Sequence, residues 1–152
     1  MGTLTIISYL LFYCMYAYFS KIREAYYYDL HYRINHKHKD LHSTYFKERS
    51  VFLALFLASM LNDVNWLSIL LLIPFSFLAW DFIADGIYFA CRNQLNPFVY
   101  MEGFKSTESD TSTAITDKKG YTKTYKQRKN LFIFANIFLL GSLIIEIFKN
   151  AF

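Results

Sequence analysis

Apolar residues fall into four runs, separated by two long basic stretches and one very short polar turn. A helix needs roughly 17–25 apolar residues to cross a bilayer. The runs predict spans over 3–19, 50–61, 66–91 and 131–148. The second is short, and reaches spanning length only if 45–49 continues the helix and snorkels its charges. Asn62, Asp63, Val64 and Asn65 read as a tight turn between spans two and three, and Pro74 as a kink in span three. The first run has no basic residue before it and no small-x-small cleavage site, so it reads as a retained span rather than a signal peptide.

Charge fixes the expected sidedness. Seven of the sixteen Lys and Arg residues lie in 20–49 and eight in 92–130, with only Lys149 elsewhere. Four spans place both basic loops on one side, as the positive-inside bias requires, with both termini opposite. Joining 51–79 into one span would put the basic loops on opposite sides. The expected fold is therefore an all-α integral membrane protein, a single four-span domain over 1–152 in a bacterial or organellar inner membrane. An amphipathic helix over 24–49, carrying an apolar stripe of Tyr27, Leu30, Ile34, Leu41 and Tyr45, is expected to lead into span two. The composition agrees: 55% of the residues are apolar and 20% aromatic, and the net charge is +4. That charge is modest for a nucleic-acid binder. Cys14 and Cys91 fit neither a disulfide framework nor a zinc site.

Three constellations carry candidate chemistry. His31, His36, His38 and His42 lie within twelve residues. On one helix His31, His38 and His42 would share a face about 40° wide. They are candidate metal ligands or pH sensors, against the plainer expectation of a polar face packed on a neighbour. Four histidines are too few for the membrane di-iron desaturases.

Asp81 and Asp85 stand one helical turn apart near the basic end of span three. Intramembrane acids often mark ion or proton sites. Here the candidates are a pore mouth or structural ion pairs, Arg49 and Arg92 being the expected partners. In the second loop, Lys118, Lys119, Lys123, Lys126, Arg128 and Lys129 surround Tyr121 and Tyr125. They form a candidate partner or anionic-lipid surface, or simply the basic flank of span four; nucleic acid is a poor fit. Within the spans, Tyr9 and Tyr13 are expected to face protein, Asn136 to bond between helices, Gly141 and Ser142 to permit close approach, and Glu146 to be exposed at the far end.

The segment from Glu24 to Arg92, a His- and Tyr-bearing helix running into a tight two-span hairpin, resembles the two-span effector modules of bacterial conflict systems. Spans one and four and the long second loop depart from that pattern, and no residue role carries over. No phosphate loop, nucleophile elbow, Cys-x-x-Cys or HExxH occurs. The expected function is non-enzymatic and without a cofactor. It is a small membrane subunit that oligomerises and presents two basic loops to a partner, as scaffold, sensor or accessory subunit. The alternatives are a homo-oligomeric pore, channel or membrane-permeabilising effector with Asp81 and Asp85 at its mouth, and a metal-dependent membrane enzyme.

Overall fold

The computed structural model describes residues 2–35, 42–107 and 123–151, with side chains described over 2–30, 44–107 and 123–149. The described residues form four α-helices, one 3-10 turn and no strand: α1 (Gly2–Asn35), α2 (His42–Ser59), α3 (Trp66–Leu95), the 3-10 turn Gly103–Lys105, and α4 (Tyr125–Ala151). Three segments are long and apolar enough to cross a membrane, Gly2–Leu30, Trp66–Leu95 and Tyr125–Lys149. Their outer faces remain apolar, with Leu4, Leu11 and Met15 on α1 and Ile133, Ile137 and Leu140 on α4 all exposed. A face of that extent suits lipid better than water.

The second predicted span is not among the three. α2 holds Lys47, Glu48 and Arg49 within its 18 residues, and its apolar part is short. The helix does run unbroken through 45–49, as snorkelling requires. The predicted amphipathic helix over 24–49 is not one element. Instead α1 continues past Phe19 to Asn35, and α2 (His42–Ser59) lies alongside it, with Arg23 against Glu48 and Tyr16 against Phe52. Lys21, Glu24 and Asp29 are all buried, so charge there marks contact with a neighbouring helix rather than the end of a span.

The chain runs up and down. Gly2, the turn between α2 and α3 and the last turns of α4 meet at one end, where Glu146 packs on Gly2 and accepts the Asn65 N–H. Lys21, Arg49, Asp81, Asp85 and Lys123 gather at the other, here called the basic end. The turn forms where expected. Met60 and Val64 plug it from below, and the Asn65 side chain caps α3 by accepting the Leu67 N–H at 3.0 Å.

α3 is central, with α1 and α4 packed closely against it. Small residues make this possible: Ser68, Ser76, Ala79, Ala135 and Ser142 are buried, and the Ser68 hydroxyl donates to the Ser142 carbonyl at 3.2 Å. Midway along, Tyr9 bonds the Ser76 hydroxyl, and Tyr13 donates to the Ser76 carbonyl at 2.6 Å. Both tyrosines are buried against protein, as their depth predicted. Asn136 differs from expectation: it donates to Phe132 O one turn back on its own helix, at 2.7 Å. α2 stands off at side-chain distance. Tyr16 stacks on Phe52 with ring centroids 3.9 Å apart, and Phe56 meets Tyr9 and Phe12.

Candidate functional site

The basic end concentrates the chain's polar chemistry. On α1, Lys21 lies 2.8 Å from Glu24 and 3.4 Å from Asp85 of α3, with Lys21 and Glu24 almost wholly buried. One turn and a half further on, Asp29 meets Arg92 at 3.2 Å. Asp81, one turn before Asp85, pairs with Lys123 just ahead of α4. The Lys21–Glu24 pair lies within α1, the others join two helices or a helix and its flank, and each pair compensates a charge in an apolar setting. On the rim, Arg23 of α1 forks onto Glu48 of α2, two bonds of 2.8 Å each.

The expected partners of the two aspartates are thus replaced. Arg92 is taken by Asp29, and Arg49 lies across the Trp80 ring, 4.6 Å from its centroid. Lys21 and Lys123 reach the aspartates because α1 and α4 flank α3 on its two packed sides.

The segment after α3 folds back over this cluster. Asn96 ends α3 and accepts the Phe98 N–H, while Asn93 donates to the carbonyls of Pro97 and Val99. Tyr100 and Gly103 turn the backbone with φ of 49° and 54°. Tyr100 stacks on Phe89 at 4.5 Å, and Phe104 lies directly on Gly86, where any Cβ would overlap its ring. Arg128 ties the fold-back to α4. It donates to Ser106 O at 2.7 Å and Phe104 O at 3.0 Å, and its guanidinium covers the Phe89 ring.

That geometry removes Arg128 from the predicted partner or lipid surface, since it is fully buried and its hydrogen bonds go to carbonyls of its own chain. Lys123 is engaged with Asp81. Lys126 and Lys129 are exposed, and Lys118 and Lys119 lie outside the described residues. Sequence spacing gave no warning about Arg128; the signal was Gly86, whose bare Cα marks a close approach by another segment.

The histidine face cannot be drawn on one helix. His31 belongs to α1 and His42 to α2, with their side chains outside the described set, and His36 and His38 lie wholly outside it. Among the described residues no three His, Cys, Asp or Glu side chains gather in a way that could hold a metal. At the far end, Glu146 is not exposed. It is fully buried, because the N-terminal ends of α1 and α3 enclose its carboxylate.

Between α2 and α3, beside the ion pairs, lies a cavity of about 160 Å³. Arg49, Trp80 and Asp81 line its polar side, and Phe46, Leu53 and Phe77 its apolar side. Comparison with known proteins adds no relative: no protein-family profile, no curated protein and no solved structure matches this chain.

Proposed function

We propose that this chain is a non-enzymatic subunit of a membrane complex, crossing the bilayer four times, with α2 as the short second span. Both basic segments then face the cytoplasm-equivalent side of a bacterial or organellar inner membrane, and both termini face the other. One observation carries the choice of a binding role over a pore. Asp81 and Asp85 are each paired with a lysine of the same chain. Carboxylates neutralised in this way hold helices together and offer little field to a passing cation. Lys126, Lys129 and the wide apolar faces of α1 and α4 are left for a partner chain, a second copy or lipid.

Two measurements test this. In a background lacking Cys14 and Cys91, Asn62→Cys and Thr107→Cys should react with a membrane-impermeant maleimide from opposite sides. Labelling from the same side would remove α2 as a span. In planar bilayers the purified protein should give no unitary currents. Unitary cation currents reduced by Asp81→Asn and Asp85→Asn would replace the subunit by the pore.

A further inference from the structure

Among the described residues the cations buried or half-buried at the basic end have acceptors, with one exception. Lys21, Arg92 and Lys123 meet carboxylates, and Arg128 donates to the carbonyls of Asp81, Phe104 and Ser106. Arg49 lies on the face of Trp80 with no acceptor in contact, and its Nε, like those of Arg92 and Arg128, is buried without one. Trp80 is 5% exposed, and its ring Nε1 is likewise buried without an acceptor. Leaving such donors unmade is costly in an apolar setting. Both residues line the cavity of about 160 Å³ between α2 and α3.

A ligand for this cavity must therefore supply acceptor oxygens, and negative charge suits it better than a neutral carbonyl. Asp81, the one acid in the wall, is paired with Lys123, which leaves Arg49 as the cation of the wall with no carboxylate in direct contact. The remaining wall, with Leu53, Phe46 and Phe77, calls for hydrocarbon next to the anion. Phe46 and Phe77 are also exposed on the outer surface, so the apolar wall continues onto the face turned to lipid. Arg49 stands where the charges of α2 give way to its apolar run, the level of a lipid headgroup.

We propose that this cavity binds one anionic phospholipid, its phosphate held by the Arg49 guanidinium over the Trp80 ring, and its acyl chain laid along Phe77 and Leu53. A bidentate guanidinium–phosphate contact is the strong element. The site differs from the basic stretch before α4, whose attraction for a membrane is diffuse.

Trp66 and Trp80 are the only tryptophans, so Trp66→Phe leaves Trp80 as the sole fluorescent reporter. This protein is placed in phosphatidylcholine nanodiscs containing increasing phosphatidylglycerol. The expected result is a saturable change in Trp80 emission, with one phosphatidylglycerol retained per chain in native mass spectrometry. Arg49→Gln should weaken binding about ten- to a hundred-fold, the loss of one charge-assisted contact. Arg49→Lys should lie between. Ser50→Phe, which fills the cavity and keeps the arginine, should abolish retention of the lipid, and it serves if Arg49→Gln does not fold. Equal retention by Arg49→Gln or Ser50→Phe would overturn the site. The same saturable change with inorganic phosphate in pure phosphatidylcholine would assign the cavity to a free anion and overturn the lipid.

Discussion

The two ends of this bundle hold buried charge by different means. At the basic end Lys21 sits between Glu24 and Asp85, and Asp81 and Asp29 each have a cation of their own. At the opposite end a single carboxylate, Glu146, sits at the N-terminal ends of α1 and α3 and accepts the Asn65 N–H. There the partial positive charge of backbone N–H groups at two helix starts helps to hold the carboxylate. A network of point charges is unforgiving, because deleting one member strands the others. Helix ends are diffuse, so their partner can be altered more cheaply.

That difference can be broken or sharpened by four substitutions, in falling order of effect. Lys21→Met leaves Glu24 and Asp85 buried without their cation and should cost about 3–5 kcal/mol. Denaturant titration in mixed micelles measures it, and adding Asp85→Asn should recover part of the loss. No recovery would mean that Lys21 acts through packing alone. Gly86→Ala drives a methyl into the Phe104 ring and should cost about 1–3 kcal/mol. Hydrogen exchange should rise over 98–106 and remain unchanged in α1; a rise across the whole molecule would show that the fold-back is not a separate unit.

Glu146→Gln removes the charge but keeps an acceptor for the Asn65 N–H, so the loss should be about 1 kcal/mol. Glu146→Ala, which strands that N–H, should exceed it. Equal losses would assign the interaction to charge and none of it to the hydrogen bond. Arg23→Gln breaks the half-exposed fork to Glu48 and should change stability by less than about 1 kcal/mol.

The sequence announced what depends on composition over many residues: helical runs, the turn at 62–65, the inward Tyr9 and Tyr13. It missed what depends on a residue's neighbour in space. Lys21 and Glu24 look like the start of a loop, yet their partner on α3 lets α1 continue through them. Arg128 reads as one of a basic run, yet it lies under Phe104 and Ser106. Glu146 looks like a surface residue at a helix end until the ends of two other helices close over it. The acids Asp81 and Asp85 were legible as a pair near an interface. Their partners were not, because that choice depends on which helix lies on which side of α3.

The turn between α2 and α3 has a consequence during synthesis. A segment bearing Lys47, Glu48 and Arg49 enters a bilayer poorly by itself, whereas α3 enters readily. Six residues at 60–65 leave little slack for the two to part. On the four-span arrangement α2 is therefore carried in by its successor as one leg of a hairpin. Lengthening that turn should strand α2 outside the membrane while α1, α3 and α4 still insert.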